Sequence, residues 1–285
     1  MPSDRFERNE GFFGRVGQEK LRRCTITVLG VGGLGSHLVQ QAAFLGIGCI
    51  RCIDPEELDL SNRNRYIGSF ASDPIPGTLK IDIAKRLIAS IDPDIRAEAY
   101  PYSLLDARSF EVIRTSDYVF GCVDKDGIRL VLTELCAAYT KALFDLASDI
   151  EADGDRLRYG GRLCVSRGDG CALCLGQIDA TEAGLELGSQ EVRKERENIY
   201  GVNRNALGQT GPSVVSINGL VASLALTEFM LEITGVRRAN RLLTYRGDLG
   251  KVLVSTDPPS PDCFVCKGIW GQGAAAKLES KYLSE

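Results

Sequence analysis

The stretch from Cys24 to Asp54, CTITVLGVGGLGSHLVQQAAFLGIGCIRCID, constrains this chain more than any other. It opens with a β-rich apolar run, turns through Gly30, Gly32 and Gly35, continues with apolar residues at helical spacing, and closes on a second apolar run ending at Asp54. Strand, glycine turn, helix and strand make one βαβ unit, the building block of a parallel sheet. Glycines at such a turn let backbone N–H groups approach a phosphate closely, and the helix N-terminus adds favourable partial charge. Asp54, at the end of the second strand, is placed to accept hydrogen bonds from a ribose. A nucleotide is implied. The pattern alone does not say which one: a nicotinamide- or flavin-dependent oxidoreductase fits it, and so does a tight turn without a ligand.

The pattern continues through a helix at LKIDIAKRLIASI, a strand at AEAYPY, a helix from Ala107 to Arg114, and the strand DYVFGCVD. A helix at IRLVLTELCAAYTKA and a strand at ALFDLA follow, so residues 26–160 read as a nucleotide-binding half. The predicted fold is α/β, a Rossmann-like, mainly parallel sheet with helices on both faces. Beyond Gly160 the pattern changes, and residues 161–270 form a second half. It holds RLCVSRGDGCALCLG, a polar crossing loop over 179–211, the apolar helix SVVSINGLVASLALTEFMLEIT, and strands at LLTYRG and KVLVST. Residues 1–25 form an N-terminal arm and 271–285 a tail; with no repeat or linker between the parts, a single domain over 1–285 is expected.

Of the 285 residues, 44% are hydrophobic and 25% charged, and the formal charge of -4 argues against nucleic acid or an anionic membrane as partner. The start, MPSDRFERNE, has no basic run followed by an apolar stretch, which leads to the expectation of a cytoplasmic protein.

Several residues suit chemistry that hydride transfer does not need. Arg63, Arg65 and Lys80 lie in SNRNRY and GTLK, after the strand that ends at Asp54, where their cations can converge on a triphosphate. Asp124 closes DYVFGCVD at the carboxyl end of the sheet, where it can hold Mg²⁺ against phosphate oxygens or simply cap the next helix. Cys171-x-x-Cys174 and Cys263-x-x-Cys266 form two chelating pairs, and four thiolates of this kind usually hold a structural Zn²⁺ with no open position for water. The other six cysteines fall in predicted strands and helices and read as small buried hydrophobes. His37, the single histidine, reads as a packed side chain, so a histidine general base is not expected.

Ordered blocks carry a family resemblance over nearly the whole chain: GVGGLGS at 30–36, Asp54, SNRNRY at 61–66, GTLK at 77–80, CVD at 122–124, and the two cysteine pairs. The chain resembles the superfamily of ubiquitin-activating enzymes and the bacterial ThiF, MoeB and HesA adenylyltransferases. That resemblance implies ATP-dependent adenylation of the C-terminal carboxylate of a ubiquitin-like or sulfur-carrier protein, with pyrophosphate released. Gly30, Gly32, Gly33 and Gly35 would face ATP, Asp54 the ribose, Asn62, Arg65 and Lys80 the phosphates, and Asp124 the Mg²⁺. RFERNEGFFG resembles the family's N-terminal arginine segment, so Arg8 would reach the γ-phosphate of a neighbouring protomer in a homodimer. Phe6 stands where tyrosine is usual, Lys125 where many relatives have asparagine, and Arg63 adds a charge to the phosphate loop. Many relatives carry a reactive cysteine on the crossing loop. None stands between Cys174 and Cys263 here, so no thioester on this chain is expected. The partner's tail would end in glycine, since a narrow channel admits little side chain, and the acyl adenylate would pass to a sulfur donor or a conjugating enzyme. An NAD(P)-dependent oxidoreductase, a non-catalytic scaffold of the same fold, and adenylation of a peptide or a tRNA base remain as alternatives.

Overall fold

The computed structural model describes residues 5–153, 156–188 and 212–283. Its strands are β1 Thr25–Leu29, β2 Cys49–Ile53, β3 Arg96–Tyr100, β4 Tyr118–Gly121, β5 Ala142–Asp153, β6 Arg156–Ser166, β7 Leu242–Arg246 and β8 Lys251–Val254. The described helices are α1 Glu7–Arg23, α2 Gly33–Leu45, α3 Lys80–Ile91, α4 Ala107–Arg114, α5 Asp126–Ala138, α6 Ala180–Leu187, α7 Val215–Thr234 and α8 Leu278–Tyr282.

All eight strands join one sheet in the order β3-β2-β1-β4-β5-β6-β7-β8. The first five run parallel, with β1 flanked by β2 on one side and β4 on the other. Strand order therefore reverses at β1, and ligands of doubly wound sheets collect in the crevice at the carboxyl ends beside such a reversal. Strands β6, β7 and β8 add an antiparallel extension. The sequence periodicity predicts a strand only over ALFDLA, whereas β5 runs on to Asp153 because its polar second half pairs with β6 in a long hairpin. The expected crossing loop opens with a helix, α6, whose N-cap Asp179 accepts hydrogen bonds from Thr181 N (2.8 Å) and Glu182 N (3.1 Å). Residues 189–211 of that loop lie outside the described residues.

Side chains alternate across a strand, so each central strand feeds two cores. Ile26, Val28, Ile50, Phe120 and Phe144 face α2, α3 and α7, while Leu29, Ile53, Val119 and Leu143 face α4 and α5. The first core centres on Phe229 of α7, fully buried, with ring centroids 5.1 Å from Tyr118, 5.4 Å from Phe120 and 5.8 Å from Phe144. Among the described residues α7 is the one helix long and apolar enough to cross a membrane; here it buries Val221, Ala222, Ala225 and Phe229 in this core. The C-terminal segment returns under α5, where Lys281 Nζ (2.7 Å) and Tyr282 OH (2.9 Å) donate to the buried carboxylate of Glu134.

Phe229→Ala should therefore lower unfolding stability by about 3–5 kcal/mol. Phe70→Ala, at a ring 59% exposed, should change it by no more than about 0.5 kcal/mol in the same denaturant titration.

Candidate functional site

The glycine turn is built by close approach. Gly30 has φ +83°, and a Cβ there would lie 2.8 Å from the carbonyl oxygen of Cys122 at the end of β4. A Cβ on Gly35 would lie 2.1 Å from the carbonyl oxygen of Gly30, so the turn closes on itself only without a side chain. Gly33 presses against Asn218 and the aliphatic part of Arg65. Gly32 differs: a Cβ there would meet nothing within 4 Å, and the residue borders open cavity.

Asp54 ties this turn to β2. Its carboxylate accepts from Val31 N at 2.7 Å and from Glu56 N at 2.9 Å. Only 5% of the residue is exposed, and burial raises its pKa above the ordinary value while Lys80 and the two N–H groups pull it down.

The loop after β2 separates the basic residues. Asp59 caps a short 3₁₀ turn, Leu60–Asn62, by accepting from Ser61 N at 2.8 Å, and this turn presents Asn62 to the cavity. Arg65 also lines the cavity, with its guanidinium donating to Ser61 O and Asn64 Oδ1. Arg63 does not line it. Its Nη2 donates to Asp73 O at 2.9 Å, on the side where Arg86 grips the Asp73 carboxylate at 2.6 and 2.8 Å and holds its pKa down to about 2. Lys80, the first residue of α3, has a side chain only 7% exposed and pairs with the Glu56 carboxylate at the cavity wall. Asp124 is exposed on the loop between β4 and α5, lines the same cavity, and has no hydrogen-bond partner among the described residues. Arg8 is exposed on α1 and does not border the cavity of its own chain.

The cavity, about 1080 Å³, continues from the glycine turn across the antiparallel extension. Gly160 and Gly161 of β6 line it as well, and the neighbouring strands exclude a side chain at both: a Cβ would strike Tyr245 O at 1.9 Å or Ala147 O at 2.5 Å. Asn218, buried in the first turn of α7, accepts from Ser148 Oγ (2.7 Å) and donates to Ser213 Oγ (3.1 Å) beside Gly33. Asn218, Arg129 and Arg162, which no motif in the sequence marks, also line this space. The available signal was Asn218 itself, an amide inside an apolar helical run. His37 packs its ring against Gly219 between α2 and α7, does not border the cavity, and has its pKa lowered by burial.

The four paired cysteines converge. Cys171 Sγ lies 3.8 Å from Cys174 Sγ and 3.7 Å from Cys263 Sγ, and the four Cys171, Cys174, Cys263 and Cys266 sulfurs all lie within 4.8 Å of one another. Metal–sulfur bonds of about 2.3 Å in a tetrahedron place sulfurs about 3.8 Å apart, so the cluster has the dimensions of a metal site. It packs with Val265 and Ala137 and joins the β6–α6 connection to the C-terminal segment. Of the other cysteines, Cys122 borders the glycine turn, and burial pushes its thiol far above the usual range.

The model of the ThiF family matches residues 6–265. The chain is 33% identical over 157 residues to the adenylyltransferase and sulfurtransferase UBA4 of Lodderomyces elongisporus, covering 55% of this chain and 32% of that protein. It is 26% identical over 259 residues to the adenylyltransferase and sulfurtransferase MOCS3-2 of Zea mays, covering 89% and 48%. With the sulfur carrier protein adenylyltransferase of Thermus thermophilus it shares 28% over 130 residues, 46% of this chain and 47% of that one. The chain thus spans about a third to a half of the length of these curated relatives. Among solved structures, the microcin C7 biosynthetic enzyme MccB in complex with N-formylated MccA superposes with a TM-score of 0.73 at 19% identity, over 93% of this chain and 75% of that one. MccB of E. coli with ATP gives 0.68 at 20% identity, over 93% and 74%. With the family match running from the N-terminal helix to the second cysteine pair, this chain belongs to the ThiF family.

Proposed function

We propose that the chain uses ATP to adenylate the C-terminal carboxylate of a ubiquitin-like or sulfur-carrier protein. The observation that carries this reading is one cavity at the carboxyl end of the parallel strands, bordered by Gly32, Asp54, Asn62, Arg65, Lys80 and Asp124 together. The names of the relatives, adenylyltransferases of sulfur carriers among them, support it.

In this reading the backbone around Gly30, Gly32, Gly33 and Gly35 receives the phosphates, and Asp54 orients the ribose while holding Val31 N in place. Asn62, Arg65 and Lys80 bind phosphate oxygens, with Lys80 exchanging Glu56 for phosphate. A carboxylate oxygen of the partner attacks the α-phosphorus, the bond from that phosphorus to the bridging oxygen breaks, and pyrophosphate leaves an acyl adenylate. Alignment and charge neutralisation carry such a step, and well-placed groups contribute up to about 7–11 kcal/mol. Asp124, an exposed carboxylate with no partner among the described residues, suits a hard divalent cation; Mg²⁺ held there would offset phosphate charge. Arg63 is outside this set, occupied at Asp73. Arg8 would complete the site of a neighbouring protomer, which makes the working unit a homodimer.

The partner's tail, ending in glycine, would enter along the antiparallel extension, where Gly160 and Gly161 border the cavity. With no cysteine between Cys174 and Cys263, the acyl adenylate passes to an outside nucleophile, a sulfur donor or a conjugating enzyme. The four-cysteine cluster is assigned to structural Zn²⁺, and ten unpaired cysteines suit a reducing cytoplasm.

Pyrophosphate–ATP exchange with candidate carrier proteins tests the reaction. Asp124→Ala and Lys80→Ala should each slow it by about 100-fold. Undiminished exchange in both would remove the assigned site, and NADH binding without exchange would point to an oxidoreductase. The glycines separate binding from folding. Gly32→Ala should leave Tm within about 2 °C yet weaken ATP binding at least about tenfold, because its methyl enters the phosphate space. Gly35→Ala should lower stability by about 2 kcal/mol or more, because its methyl meets a carbonyl oxygen. As for the metal, elemental analysis should find about one zinc per chain, and chelation should expose residues 263–283 to hydrogen exchange. A metal-free protein with unchanged protection would refute the four-thiolate assignment.

A further inference from the structure

Beside the cavity lies a charged cluster that the proposed reaction leaves unused. Asp145 of β5 is 1% exposed and does not border the cavity. It pairs in register with Gly121, the last residue of β4, and a Cβ on Gly121 would come within 3.3 Å of its Oδ1. Two arginines surround it. Arg162 donates to Oδ2 and, through Nη2, to Gln177 O at 2.8 Å. Arg129 Nε stands 3.7 Å from Oδ1, and neither of these two buried atoms has a hydrogen-bond partner among the described residues. Charge rather than a hydrogen bond therefore holds Arg129 against Asp145, which leaves the rest of its guanidinium free to work elsewhere.

What Arg129 holds is the loop that carries Asp124. Its Nη2 donates to Val123 O at 2.6 Å, one residue before Asp124, and its Nη1 reaches the Asp126 carboxylate at 3.3 Å, two residues after. Asp126 in turn accepts from Asp179 N at 2.8 Å. Asp124 itself is exposed and without a partner among the described residues, so its place is set by the backbone on either side. A planar, five-donor fork can grip both flanks and face a third group, and an ammonium cannot. Burying a carboxylate with two guanidiniums is a weak source of stability compared with apolar packing, so stability alone is a poor account of the cluster.

We propose that Arg129, held by buried Asp145, is the positioning residue of the Asp124 carboxylate and so sets the affinity of the divalent-cation site. This rests on the assignment of Asp124 to Mg²⁺ with ATP. Neither Arg129 nor Asp145 needs to touch the reacting atoms. Groups that orient a metal ligand from behind typically change metal affinity by about 10–100-fold when altered.

The test is calorimetric and needs no turnover. Affinity for a non-hydrolysable ATP analogue is measured on the full chain with Mg²⁺ and again with EDTA, and the ratio of the two reports the cation site. Arg129→Lys and the isosteric Asp145→Asn should each reduce that ratio by about tenfold while leaving the affinity in EDTA unchanged. Arg167→Lys, at an arginine equally buried but paired with Glu232 and outside the cavity lining, should leave the ratio as it is. If Asp124→Ala abolishes the ratio but Asp145→Asn preserves it, the positioning role is overturned. An equal loss in Arg167→Lys overturns it as well. A wild-type ratio of one would instead defeat the assignment of Asp124, a separate failure. Should Arg129→Lys not fold, Asp145→Asn decides the question alone, since it keeps the side-chain shape and lies away from the ligand.

Discussion

Two hydrogen bonds to one buried carboxylate organise the functional end of this protein. Asp54 accepts from Val31 N inside the glycine turn and from Glu56 N on the loop that follows β2. The bond to Val31 fixes the turn against the neighbouring strand; the bond to Glu56 begins the path that brings Lys80 back to the cavity. Desolvation acts against the ionised carboxylate, and the N–H donors and Lys80 offset it. An isolated turn of glycines has too much freedom to present its N–H groups in one arrangement. Here that freedom is removed by Asp54 on one side and by the contact of Gly30 with Cys122 on the other.

The first half of the fold was legible because its elements follow simple periods: β1, α2 and β2 lie where apolar alternation and helical spacing put them, and so do α3 and α4. The β5–β6 hairpin was not, since the polar half of β5 carries no apolar alternation and is held as a strand by its neighbour in space. Arg63 and Arg65 illustrate the same limit within the site. They sit two apart in an irregular loop, where spacing fixes no face, and Asp73 draws one outward while the other stays at the cavity. The cysteine pairs were readable from spacing alone, and their sulfurs do converge. Arg129 and Asn218 were hidden in helical runs, where a charged or amide side chain reads as an exposed face until the tertiary packing is known.

Charge balance accounts for the gathering of so many ionisable groups around one cavity. Lys80 is neutralised by Glu56, Arg162 by Asp145, and Arg129 by Asp145 and Asp126, while Arg65 rests on oxygens of its own loop. The two cations assigned to phosphate, Lys80 and Arg65, already have internal partners, so binding under the proposed reaction exchanges one set of contacts for another. The net gain from such an exchange is smaller than the raw attraction of the groups, because Lys80 must leave a carboxylate and Arg65 its hydrogen bonds. Asp124 is the exception in having no partner among the described residues.

This asymmetry separates two kinds of work in the site. Cations that hold phosphate can be mobile and paired in advance, since a flexible lysine or arginine finds new oxygens by rotation about its side chain. A carboxylate that holds a small octahedral ion has little such freedom, because Mg²⁺ demands oxygens within narrow limits of distance and angle. Under the proposed assignment the two kinds of group are held differently. Lys80 and Arg65 rest on partners they can leave, whereas Arg129, which a buried carboxylate holds in turn, grips the Val123 carbonyl before Asp124 and the Asp126 carboxylate after it.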